Sequence, residues 1–373
     1  MITLTRTDES VFGRWWWSVD RWQLAFIGAL IMFGIVLIQA ASPAVAQKHN
    51  LPSFHFVQSY VMILLPSLCG MIGLSLLTLR QIRLVAFALF PAALLGVALT
   101  LAFGNEIKGA TRWLSLGGFA LQPSEFLKPA FIIVSAWLFA RHCERRGFPS
   151  LGTNMALFLL CVAMLVQQPD FGMTILITLT WFCQFFLAGL PLALVGLGVL
   201  LLPVGGLAAY FLLPHVHDRI NRFIDPGKGE NYQIDKAMDA FRNGGLFGTG
   251  PGGGEVKMTL PDAHCDFIFA VAGEELGLII SLIIVLLYAM VILRGFWRLR
   301  REHSLFVVLA ASGLLLQFGM QAIINIASAV HLMPTKGMTL PFISYGGSSL
   351  LAVSLGMGMM LALTRKRHGM GDK

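Results

Sequence analysis

Six ionisable residues, Asp266, Glu125, Lys128, Asp170, Arg112 and Lys336, stand within apolar runs or beside them, and their types define the chemistry to look for. Asp266 marks the point where a long polar stretch gives way to a continuously apolar one. A carboxylate at such a boundary is partly desolvated, which raises its pKa and makes it a better base toward a hydroxyl. The same placement also suits a helix cap, with the carboxylate accepting backbone N–H groups. Glu125 and Lys128 lie three residues apart just inside another apolar run, so they share one helical face and can pair. Ionisable groups at membrane depth are costly and point to function unless packing explains them. Asp170 follows Pro169 in a tight break between two runs, where proline removes a donor and disfavours helix just before it. It either lines a cavity or caps the next helix. Arg112 offers a planar fork to oxyanions, and Lys336 is an anion-binding candidate whose alternative is to snorkel at a membrane surface.

The elements that must position these groups follow from composition. The chain has 373 residues, 56% hydrophobic and 12% charged, against roughly a quarter charged in soluble domains. Runs of about 20 apolar residues, the length that crosses a bilayer, recur along it. They are expected near 22–41, 57–79, 84–103, 123–140, 153–168, 172–188, 191–213, 267–293, 304–330 and 345–364. The fold class is therefore all-α, a polytopic membrane protein with about ten transmembrane helices. Its organisation reads as one membrane domain over 1–373, with an N-terminal segment 1–21, spans one to seven over 22–213, a long outer loop 214–266, spans eight to ten over 267–364 and a tail 365–373. The first run follows a polar, Trp-rich start without a small-residue cleavage site, so it reads as an anchor rather than a signal peptide.

Basic residues gather in Arg80/Arg83, Arg141/Arg145/Arg146, Arg294/Arg298/Arg300/Arg301 and Arg365/Lys366/Arg367. An even number of spans puts all of them, with both termini, on the cytoplasmic side. Topology thus accounts for the net charge of +8, and nucleic acid is not implied. The five cysteines are scattered and lack Cys-x-x-Cys spacing, which argues against a disulfide framework or zinc site. His215, His217 and His264 also lack metal-ligand spacing. The polar stretch from Pro214 to His264 carries turn signals at Asp225-Pro226-Gly227 and a glycine-rich Gly248 to Gly254. No Gly-Lys-Ser/Thr follows, so it is not a phosphate-binding P-loop. A lid or tight reversal over a lipid headgroup fits better. Glu274 and Glu275 lie about two helical turns below Asp266 on a continuous helix, where pairing with an arginine or backbone and a packing role are expected.

Five stretches together resemble the SEDS family of cell-wall polymerases: Gly109-Ala110-Thr111-Arg112-Trp113, Gln122-Pro123-Ser124-Glu125-Phe126-Leu127-Lys128, Gln168-Pro169-Asp170-Phe171-Gly172, Leu260 to Ala270, and Pro341 to Ser349. Pro334-Thr335-Lys336-Gly337 is similar to the division branch rather than the elongation branch. The family's usual His-Thr-Asp is His264-Cys265-Asp266 here.

The resemblance implies a glycosyltransferase of the bacterial cytoplasmic membrane that polymerises lipid II at the septum and works with a class B penicillin-binding protein and other divisome membrane proteins. It assigns the catalytic base to Asp266 and places Arg112, Glu125, Lys128, Asp170 and Lys336 around the substrate. Lys128 is the candidate for the pyrophosphate. Sugar transfer from a diphosphate needs one base and several cations. A divalent cation bridging carboxylates and pyrophosphate is compatible with that chemistry, although no residue demands one. The alternatives are a lipid II flippase, which would need polar groups continuing across the bilayer, and a non-catalytic division scaffold.

Overall fold

The computed structural model describes residues 10–107, 110–116, 119–144, 149–189, 232–334 and 337–366, with short pieces between 196 and 221. The expected seventh span (191–213), the outer loop up to residue 231, Lys336 and most of the tail lie largely or wholly outside the described residues. A short helix α1 (Val11–Ser18) is capped by Ser10, whose hydroxyl accepts from Gly13 N at 3.0 Å. Asp20 then starts α2 (Arg21–Lys48) by accepting from Trp22 N and Gln23 N. After α3 (His55–Ser75), a capping box of Thr78 and Gln81 opens α4 (Leu79–Phe103).

Next come α5 (Pro123–Cys143), α6 (Ser150–Gln167), α7 (Phe171–Leu187), the polar helix α8 (Tyr232–Gly244), α9 (Ile268–Leu299), α10 (Leu305–Ala329) and α11 (Gly347–Leu363). Seven of these, α2 to α6 with α9 and α10, are long and apolar enough to cross a membrane, and α7 and α11 are shorter apolar helices. They occupy nine of the ten expected spans. The all-α reading gains one addition. Between α4 and α5 the chain forms a three-stranded antiparallel sheet in the order β1 (Asn105–Ile107), β2 (Ala110–Leu116), β3 (Phe119–Leu121).

The spans divide by burial. In α5 and α10, 72% and 78% of the span residues are buried, whereas α3, α4 and α6 bury only 22–28%. The peripheral helices turn their apolar surface outward, as lipid-facing helices do. The central pair must satisfy its polar groups internally. At the basic end, Asp20 pairs with Arg294 and Arg298, each at 2.8 Å. Lys366 N bonds Ser18 O at 3.0 Å there, and Arg365 reaches Leu76 O at 3.4 Å. Both ends of the described chain therefore meet at one end of the bundle.

The eighth span departs from expectation. Instead of running unbroken from 267, α9 breaks at Gly277, whose φ of 79° and ψ of 177° are not helical. The cause is tertiary. Residues following α8 run along the break, with Thr249 N bonding Glu274 O (2.9 Å), Gly250 N bonding Glu275 O (3.1 Å) and Leu278 N bonding Gly245 O (3.0 Å). A methyl group at Gly277 would strike Gly248 N and Leu246 O, so this crossing needs glycine. The contacts of the segment after α8 thus reach past 266 to Gly277.

Candidate active site

The start of α5 sets the first cluster. Pro123 takes the first helical position, where its missing N–H costs nothing, and Glu125 falls in the first turn, where the helix dipole favours a carboxylate. Lys128 lies one turn on, with Nζ 2.7 Å from Glu125 Oε2 and both side chains almost wholly enclosed. Lys128 Nζ also donates to Gln321 Oε1 on α10 at 3.0 Å. Gln321 Nε2 donates to Thr339 O at 3.1 Å, and the hydroxyls of Thr339 and Ser349 lie 2.6 Å apart.

One turn further along α10, Asn325 Nδ2 donates to Asp266 O at 3.0 Å and to Met338 O at 2.6 Å. Asp266 itself is half-buried in the turn ahead of α9. The cap position there is Phe267, which makes no side-chain cap bond. Its Oδ2 faces the segment after α10: a Cβ placed on Gly337 would stand 3.8 Å from it. Gly337 has φ +63°, a conformation that favours glycine. Lys336 precedes it, outside the described residues.

Asp170 organises a second cluster in the corner between α6 and α7. It caps α7 by accepting from Met173 N at 3.3 Å and lies 3.6 Å from Arg112 Nε. Arg112, on β2, also donates to Pro169 O. Burial pushes the Asp170 carboxyl above its ordinary range, and the Arg112 guanidinium is the main opposing influence. The charges of Glu125 and Lys128 act on it as well, in opposite senses, so the two clusters sense each other. At the start of α11, the Ser348 hydroxyl accepts from Gln122 N at 2.9 Å and donates to Ala120 O at 3.2 Å, joining α11 to the sheet and α5.

Glu274 and Glu275 lie elsewhere. Glu274 accepts from Val256 N (2.7 Å), Lys257 N (2.9 Å) and Asn243 Nδ2 (3.0 Å), while Glu275 pairs with Lys257 Nζ. Their partners are a lysine and loop backbone rather than an arginine. Among the described residues no group of three or more His, Cys, Asp or Glu side chains is placed to hold a metal ion. Glu125 and Asp170 are each in an ion pair with a cation of the chain, so the described donors do not fit a protein-held divalent cation.

Gln321 and Asn325 were missed by reading charges alone. Their signal was nonetheless present: Gln317, Gln321, Asn325 and Ser328 form a stripe at helical spacing within an apolar span, and all four are buried. Polar side chains on one face of a spanning helix turn to the bundle interior.

Apolar spans packed around a buried ionisable cluster define a multi-pass membrane protein. The family model FTSW_RODA_SPOVE, described as "Cell cycle protein", matches residues 21–369. The chain belongs to that family. It is 45% identical over 367 residues to the "Probable peptidoglycan glycosyltransferase FtsW" of Caulobacter vibrioides (strain NA1000 / CB15N), covering 98% of this chain and 94% of the relative. The protein of the same name from Coxiella burnetii (strain RSA 493 / Nine Mile phase I) is 35% identical, covering 93% and 96%. Among solved structures, a chain described under "Structural coordination of polymerization and crosslinking by a peptidoglycan synthase complex" superposes with a TM-score of 0.76 at 28% identity, covering 93% of this chain and 97% of that one. The rod shape determining protein RodA of Thermus thermophilus gives 0.68 at 26% identity, covering 94% and 97%.

Proposed function

We propose that the chain is a peptidoglycan glycosyltransferase that polymerises lipid II during septal wall synthesis, with Asp266 as general base. The observation that carries this reading is the position of Asp266: half-buried, at the rim of the bundle, with Oδ2 turned toward Gly337. The names of the relatives support the activity. In the reaction, a sugar hydroxyl of the acceptor attacks the anomeric carbon of the donor as Asp266 takes its proton. The bond from that carbon to the diphosphate oxygen breaks, undecaprenyl diphosphate leaves, and attack opposite the leaving group inverts the anomeric centre. Cations near the departing diphosphate stabilise its charge.

Lys336, beside Gly337, is assigned to that leaving group. Lys128, held between Glu125 and Gln321, is assigned to the same leaving group. Arg112, paired with Asp170, supplies positive field from the side of the sheet. We assign the enzyme to the bacterial inner membrane at the septum, with both termini cytoplasmic and a class B penicillin-binding protein and further divisome membrane proteins as partners. The likeness to a chain of a peptidoglycan synthase complex supports such a partnership.

The decisive experiment gives labelled lipid II to the purified protein with its transpeptidase partner and compares wild type with Asp266→Ala. Loss of glycan polymer with folding and partner binding retained is the expected result. Undiminished polymer would retire the base assignment, and lipid transfer across vesicles without polymer would favour the flippase reading.

A further inference from the structure

We infer that Gln321 and Asn325, one turn apart on α10, are positioning residues that set the placement of Asp266 relative to the Lys128 ion pair by gripping the segment 338–339; this rests on the reading of Asp266 as the base. Both amides reach that segment from α10. Asn325 holds the carbonyl of Asp266 and the carbonyl of Met338 with one amide nitrogen. Gln321 holds the carbonyl of Thr339 and receives Lys128. A continuous path therefore runs from the acid, through Asn325, Met338, Thr339 and Gln321, to the cation.

The chemistry fixes the direction of each amide. Lys128 can only donate, so Gln321 must present its oxygen to it, which commits the NH2 group to Thr339. Both contacts of Asn325 are to carbonyls, so it must present NH2 to them, and its Oδ1 is buried without a hydrogen bond among the described residues. An amide that leaves its acceptor unsatisfied is poor filler for an apolar span. Its value lies in its two donor bonds. Both residues are about 2% exposed or less, and they sit on a helix whose residues are mostly buried, so the grip is anchored on a rigid element. Their donor bonds go to backbone carbonyls. They act through the backbone of the two segments that carry the acid and Gly337.

The test measures kcat and KM for lipid II polymerisation, with thermal stability, in bilayer-reconstituted protein carrying Asn325→Ala, Gln321→Ala, Gln321→Glu and the double alanine variant. Misplacement by about 1 Å can cost roughly 100-fold in rate, so Asn325→Ala is expected to lower kcat by about 10- to 100-fold with KM nearly unchanged. Gln321→Glu keeps an acceptor for Lys128 but cannot donate to Thr339, and it is expected to fall as far as Gln321→Ala. The double variant should lose less than the product of the two single losses, because both grip one segment.

A wild-type kcat in folded Asn325→Ala or in Gln321→Glu overturns the inference, as does a multiplicative double variant or a change confined to KM. Asp266→Asn separates the two claims. If it is inactive while Asn325→Ala is normal, this inference fails and the base assignment stands. If it polymerises normally, the base assignment fails, and a kcat loss in Asn325→Ala would then show that the amide serves some other group, overturning this inference too.

Discussion

Two buried glutamate–lysine pairs lie in different parts of the molecule, and only one belongs to the proposed site. Glu125 and Lys128 sit on one helix, and the lysine reaches on through Gln321 toward the segment beside Asp266. Glu275 and Lys257 join α9 to the segment that follows α8, and the neighbouring Glu274 is wrapped by N–H groups of that segment. Both pairs carry the desolvation cost of buried charge. Their surroundings separate them: the first is wired to other polar side chains converging on an acid, the second to the backbone of a strap. Burial of an ion pair marks a place that is held firmly, and the onward connections say for what purpose.

The strongest way to break this contrast is to neutralise each pair as a unit. Glu125→Gln with Lys128→Met is expected to reduce polymerisation about 100-fold or more, the scale of a misplaced site, in protein that still folds. Glu275→Gln with Lys257→Met should leave the rate of the folded fraction nearly unchanged. Equal losses of lipid II polymerisation in the two would erase the distinction. Next in size are the single changes. Lys257→Met leaves Glu275 as an unpaired buried carboxylate, which costs about 3–5 kcal/mol and should lower the melting temperature far more than the double change does.

Gly277→Ala sharpens the same contrast from the strap side. Strain at a left-handed position costs on the order of 1–3 kcal/mol, and hydrogen exchange should rise along residues 244–258 before it rises in α5. The smallest effect is expected from Thr249→Val, which removes a hydroxyl bond to Glu274 O. Its loss is worth at most about 1 kcal/mol, and polymerisation should remain at the wild-type rate.

What the sequence disclosed and concealed follows from the physics of each signal. Spans are legible because crossing a bilayer demands about 20 apolar residues, and nine of the expected runs are helices whose limits differ from the expected ones by at most seven residues. Glu125, Lys128 and Asp170 stand out because charge is rare among such runs, and the structure brings all three into mutual electrostatic range. The break at Gly277 was hidden because glycine is tolerated within helices. Its left-handed conformation comes from backbone bonds to residues around Gly248, far away in sequence. The sheet ahead of α5 was hidden because its strands are short, two of them only three residues each. Gln321 and Asn325 carry no charge, so a search led by ionisable groups passed over an amide stripe that helical spacing alone would have revealed.

The meeting of Ser18 and Lys366 has a practical corollary. Fluorophores attached at those two positions would sit as immediate neighbours on one side of the bilayer. Efficient energy transfer between them would then report an intact bundle in living cells, without substrate or partner, and its loss would register unfolding from the face opposite the proposed catalytic rim.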